Sequence, residues 1–188
     1  MKSKVGFFIG VIGLIFSLSV LNAADEVNLL VNGDLQDGGG VNSPGWTFSI
    51  WNLKEGSKEL EATKWGIAAE KGNDANKCLW IGVNAKVHIW FQQEVKCDPS
   101  ETYTLTFRAK GTPNACGLYI IGTKGEWVTF EGFKDTEPST EWKTYTEKIT
   151  TPDNAAKIGV RLGFGVDGQY DIFFDDIKLV KGKPAPAK

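Results

Sequence analysis

Histidine is nearly absent from this chain, with His88 alone among 188 residues. Any Ser-His-Asp triad would have to be built on it, and no Gly-x-Ser-x-Gly nucleophile elbow is present to complete one. Cysteine is sparse. Cys78, Cys97 and Cys116 make no Cys-x-x-Cys pair, which argues against a zinc site. An odd number of cysteines in an exported chain allows one disulfide and one thiol, or none. Small buried apolar residues are the favoured reading, with a Cys97–Cys116 bridge as the alternative. Paired carboxylates are also missing as a motif. There is no Glu-x-Asp-x-x-Glu, and Asp175 and Asp176, as neighbours on a strand, would point to opposite faces. Gly38-Gly39-Gly40 precedes no helix with Lys-Ser/Thr, so a phosphate loop is excluded.

Positive charge is not in excess either. The chain has 21 basic and 23 acidic residues. Removing Lys2 and Lys4 with the leader leaves 19 against 23, a net of about −4. No basic face is large enough for phosphate backbones, so nucleic acid is not an expected partner.

One long apolar run exists. Lys2 and Lys4 precede residues 5–20, which are apolar, and Leu21-Asn22-Ala23 resembles a cleavage site. The run is shorter than the roughly 20 residues of a spanning helix, so residues 1–23 are expected to be a signal peptide rather than a stable membrane insertion. The expected destination is the outside of the cell, the periplasm or the cell surface. Residues 24–180 then have the length of one domain able to bury its own core. Residues 181–188 are basic and rich in Pro and Ala, and read as a flexible tail.

Strand signals fill the rest. Alternating or β-branched runs fall at 46–51, 61–68, 77–83, 87–95, 102–110, 117–122, 127–130, 142–150, 157–164 and 170–180. Turn clusters separate them, and no segment has a convincing helical period. The pattern predicts an all-β fold, a two-sheet antiparallel β-sandwich. In 102–110, Tyr103, Leu105, Phe107 and Ala109 share one face, and Thr106 and Arg108 the other. In 157–164, Ile158, Val160, Leu162 and Phe164 oppose Arg161. In 87–95, Val87, Ile89, Phe91, Gln93 and Val95 point inward, which leaves His88, Trp90, Gln92 and Glu94 outside.

The chain opens on Asn28-Leu29-Leu30-Val31-Asn32-Gly33-Asp34-Leu35-Gln36, a short apolar strand running into an acidic turn, and closes on Phe174-Asp175-Asp176-Ile177-Lys178-Leu179. Between them lie Gly45-Trp46, Gln93-Glu94-Val95, Tyr103-Thr104-Leu105-Thr106-Phe107 and Glu141-Trp142-Lys143-Thr144-Tyr145. This ordered set resembles the family 4/9 type of carbohydrate-binding module, whose fold is a galactose-binding-like jelly roll. The resemblance implies a polysaccharide or oligosaccharide ligand and a glycoside hydrolase partner. It also implies a structural calcium at the junction of first and last strands, on positions matching Asp34, Gln36 and Asp175. Gln36 stands where the family has Glu, and an amide is a poorer calcium ligand than a carboxylate.

Sugar rings offer apolar C–H faces and a rim of hydroxyls. Their recognition takes an exposed aromatic plate with polar groups beside it. The expected binding set is Trp90 with His88 and Gln92, together with Arg108, Arg161, Trp51 and Trp127. Trp65 and Tyr119 are further candidates. Trp46 and Trp142 are expected in core or rim packing, and Trp80 can be buried. Two other readings remain: a hydrolase or accessory protein acting on glycosyl bonds, and a structural cell-surface interaction module.

Overall fold

The computed structural model describes residues 27–51, 56–70, 73–84, 88–111, 116–132, 139–164 and 169–182. The expected signal peptide and most of the expected tail lie outside the described residues, as does Val87. Among the described residues, ten strands account for nearly all of the secondary structure: β1 (Thr47–Trp51), β2 (Lys64–Glu70), β3 (Asn73–Asn84), β4 (His88–Lys96), β5 (Thr102–Gly111), β6 (Gly117–Gly122), β7 (Trp127–Gly132), β8 (Ser139–Thr150), β9 (Ala155–Phe164) and β10 (Gln169–Lys181). They form two five-stranded sheets, ordered β1-β4-β9-β6-β7 and β2-β3-β10-β5-β8, with every pairing antiparallel. Each predicted run from 46–51 onward corresponds to one of these strands. One helical turn, α1 (Lys58–Glu61), precedes β2; Ser57 caps it by accepting a hydrogen bond from Leu60 N. Four residues are too few to produce a readable helical period.

Period-two alternation builds the core. Tyr103, Leu105, Phe107 and Ala109 of β5 are buried, as are Ile158, Val160 and Leu162 of β9 and Ile89 and Phe91 of β4. These inner faces meet between the two sheets. Phe48 of β1 stacks on Trp65 of β2 with centroids 4.0 Å apart, so Trp65 belongs to the inter-sheet packing. Cys78 and Cys116 are buried and Cys97 half-buried, and the alternative Cys97–Cys116 bridge is not formed. Trp80 is half-exposed and donates to Asp171 Oδ1 at 3.0 Å, so it is not a core residue.

The opening segment is not a strand, contrary to the sequence expectation. Residues 28–31 lie along β10 as a strap with few ladder bonds. Leu29 N donates to Leu179 O (2.9 Å) and Ile177 N to Gly33 O (2.8 Å). Asn28 takes over the remaining pairing. Its amide donates to Ile177 O at 2.9 Å, and its side-chain oxygen accepts from Leu30 N and Leu179 N. The buried Gln93 amide does the same on the other side, accepting from Val31 N at 2.7 Å and donating to Val31 O at 3.0 Å. A bulge in β10 makes room for the strap. Register shifts between Asp175 and Lys178, and Asp176 adopts φ 49°, a left-handed value that Asp tolerates. Asp175 is consequently buried and Asp176 exposed.

Trp46 is buried, and its indole donates to Asn32 O at 3.1 Å, which closes the acidic loop onto the strap. Gly33 passes so close to β10 that a Cβ there would collide with Ile177 O. Gly33→Ala is therefore expected to lower the unfolding free energy by about 2 kcal/mol, the range of an overpacked contact, in a urea titration. An unchanged midpoint would refute this account of the strap.

Candidate functional site

The outer face of the β1-β4-β9-β6-β7 sheet carries the aromatic side chains that the core leaves out. Cross-strand register places Trp51 opposite His88, Trp90 opposite Gly163, and Gln92 opposite Arg161. Arg161 in turn faces Gly117, and Tyr119 faces both Gly159 and Phe130. Glycine therefore occupies the positions around Arg161: Gly159 and Gly163 on its own strand and Gly117 on the next. Rings cover two of these positions, Gly159 and Gly117. A Cβ on Gly159 would strike the Tyr119 ring, and one on Gly117 would meet the Phe130 ring. Glycine at these sites lets the rings lie flat against the sheet.

Arg161 stands at the centre. Its guanidinium lies 4.3 Å from the Trp90 ring centroid, 5.5 Å from those of Tyr119 and Trp127, and 5.6 Å from that of Phe130. Cation–π attraction holds it there. Burial pushes its pKa below the usual arginine value, opposed by the nearby Tyr119. Its Nε is buried with no hydrogen-bond partner, which costs about 1–3 kcal/mol for a polar group. The surrounding rings are themselves fixed. Trp90 Nε1 donates to Gln92 Oε1 at 2.8 Å. Tyr119 stacks under Trp127 with centroids 4.8 Å apart, and its hydroxyl donates to Glu94 Oε1 at 3.1 Å. Burial and the Glu94 carboxylate hold the Tyr119 hydroxyl well above the ordinary phenol range.

Trp51, His88, Trp90, Trp127 and Arg161 line an open groove of about 660 Å³. Trp51 is 58% exposed and Trp127 51%, although both are large apolar side chains. Six of the seven expected binding residues, with Gln92 bracing Trp90, thus share one sheet face. Arg108 does not. It lies in β5 of the opposite sheet, paired with Asp176 at 3.1 Å and set over the Trp142 ring at 5.0 Å. Period-two alternation assigns a residue to an outer face, but it does not say which of two sheets owns that face. Phe130 was missed from the sequence, and Tyr119 proves to be a support under Trp127 with almost no exposure of its own.

The positions expected to hold calcium are differently arranged. Asp34 and Gln36 are exposed, and the Gln36 amide donates to Asp34 O at 2.7 Å. Asp175 is buried, and its oxygens accept from Asn76 Nδ2 (2.9 Å) and Asp176 N (2.8 Å). Burial raises its pKa above the ordinary carboxylate value. The Lys77 ammonium donates to Gln36 O at 2.8 Å and Gly38 O at 3.1 Å, placing a cation on the loop's carbonyls already. Among the described residues, no three Asp, Glu, His or Cys side chains are grouped to hold a metal. The residues present do not fit a calcium ion, which seeks several converging carboxylate and carbonyl oxygens.

No protein-family model and no curated protein matches the chain. Solved structures do. The chain is similar to the enzymatically active domain of tailspike protein 4 of bacteriophage CBA120 (16% identity, TM-score 0.64), covering 82% of this chain and 21% of that one. It is similar to a family 4 carbohydrate-binding module (21% identity, TM-score 0.56; 81% of this chain, 99% of that). A third likeness is to a family 61 module solved with β-1,4-galactotriose (20% identity, TM-score 0.52; 83% and 99%). This chain spans about a fifth of the tailspike's length but nearly the whole of the two modules. The fold is the β-sandwich of carbohydrate-binding modules of several families.

Two outcomes are expected from these arrangements. Gly159→Ala should displace Tyr119 and unstack Trp127, seen as a change in near-ultraviolet circular dichroism with the far-ultraviolet spectrum retained. Lys77→Ala should cost about 1 kcal/mol of stability, the worth of an exposed charged hydrogen bond, whereas excess chelator should leave the wild-type melting temperature unchanged. A melt lowered by chelator would show that the loop takes calcium after all.

Proposed function

We propose that the protein is an exported, non-catalytic carbohydrate-binding module that holds a polysaccharide or oligosaccharide in the groove beside Arg161. The observation that carries this reading is the exposure of Trp51 and Trp127 at the two edge strands of one sheet, with the half-buried Arg161 and Trp90 between them. Two ring plates separated by hydrogen-bond donors match the apolar faces and hydroxyl rims of successive sugar units. The likeness to whole binding modules supports the same reading.

A hydrolytic role has less support. Glycosyl hydrolysis needs two carboxyl groups roughly 5–10 Å apart across the cleft. None of the described residues lining the groove is Asp or Glu. Glu94, on the same face, is bound to Tyr119 and to Lys157, whose Nζ lies 3.1 Å from Glu94 Oε2.

Affinity electrophoresis in gels containing single polysaccharides tests the proposal. Retardation by at least one glycan is expected. Trp51→Ala and Trp127→Ala should each weaken it about tenfold, close to 1.4 kcal/mol, with the thermal melt nearly unchanged because both side chains are exposed. Retardation that both variants keep in full would remove the groove from the binding site. Release of reducing ends would make the protein an enzyme.

A further inference from the structure

We infer that the groove is built for an acidic glycan, one whose sugar units carry a carboxylate, as hexuronates do, and that the carboxylate binds Arg161. This rests on the sugar-binding reading above and narrows its ligand class.

Three observations carry it. First, Arg161 has no anionic partner among the described residues, and its Nε is buried and unsatisfied. Burying a cation among aromatic rings is unfavourable unless an anion or several acceptors join it. Quadrupole attraction from the rings offsets only part of that cost. Second, the carboxylate that this face does carry does not help. Glu94 is two residues along from Gln92, the register partner of Arg161, yet its oxygens go to Tyr119 and Lys157. Third, the charge of this face opposes that of the chain. Lys96 and Lys157 are register partners on it and Arg161 lies on the same face of β9, against Glu94 on β4, while the chain as a whole is acidic, with a formal net charge of −2. An acidic ligand would therefore be attracted to this sheet in preference to the rest of the surface.

The fork of a guanidinium matches a planar carboxylate bidentately, and it matches single hydroxyls less well. A hexuronate carries its carboxylate at the rim of the pyranose ring. A ring stacked on Trp127 can therefore direct that group toward Arg161, which lies 5.5 Å from the Trp127 centroid.

The experiment measures binding of the mature protein to polygalacturonate, alginate and glucuronoxylan, each beside its carboxyl-reduced form, with κ-carrageenan as a sulfate-only polyanion and chelator present throughout. At least one uronate polymer is expected to bind ten-fold or more tightly than its reduced form, and to weaken as salt rises from 50 to 500 mM. Arg161→Gln should erase the difference between acid and reduced forms; Arg161→Lys should keep the salt dependence and lose affinity. Equal binding of acid and reduced forms would overturn this inference and leave the sugar-binding reading standing. Preference for carrageenan over every uronate would overturn the carboxylate assignment. Absence of binding to every glycan would overturn both readings. The comparison of ligands on the wild-type protein decides the matter even where an Arg161 variant fails to fold.

Discussion

The site depends on the flatness of one strip of β-sheet. Gly159 and Gly163 flank Arg161 on β9, and Gly117 lies across from it on β6. Side chains at Gly159 and Gly117 would lift Tyr119 and Phe130 from the backbone, and one at Gly163 would strike the β4 backbone at Ile89 and Trp90. With the rings flat, Arg161 enters between them, and Tyr119 forms a floor on which Trp127 stacks. Glycine in a strand interior is ordinarily a cost, through lost packing and greater unfolded-state entropy. Here it exchanges some strand stability for a surface on which aromatic rings have fixed orientation.

A second constraint keeps that sheet in place without taking part in it. The opening segment is fastened to the bulge of β10 by Asn28 and Gly33, and to β4 by Gln93. β4 and β10 belong to different sheets, so the strap ties the two layers together at one end. The Gln93 side chain points inward from the strand whose outward residues are His88, Trp90 and Gln92. Alternation thus makes one strand serve both purposes: its inner face is locked by the strap and its outer face lines the groove.

That division explains how much could be read in advance. Strand positions and the inward or outward sense of β4, β5 and β9 follow from a period of two, which is local, and local patterns survive folding. The pairing of strands is not local. Arg108 and Arg161 have the same alternating context, yet β5 and β9 fall in different sheets, so one is an ordinary surface arginine paired with Asp176 and the other is the centre of the groove. Phe130 was invisible for the same reason: only the β6–β7 pairing sets it against Tyr119 and over Gly117. The Asn28–Gly33 motif was readable as a fold marker, but its chemistry was not. It resembled a strand leading into a metal-binding turn, and its side chains instead complete a backbone ladder interrupted by a bulge, while Lys77 supplies the positive charge on the loop carbonyls.

Local agreement between sequence and fold is nearly complete in the core, so its failures at the surface are informative. Two tryptophans stay exposed though burial would stabilise the fold, and the Nε of a half-buried arginine stays desolvated though exposure would satisfy it. Stability alone would replace Trp51 and Trp127 by polar residues and pair Arg161 with an acid on β4 or β6. Glu94 shows that this face can host such a carboxylate, yet its oxygens are engaged by Lys157 and Tyr119. The exposed rings and the unpaired cation lie in one groove. Each is unfavourable in the free protein, and a ligand with an apolar ring face and a charge at its rim would relieve both at once.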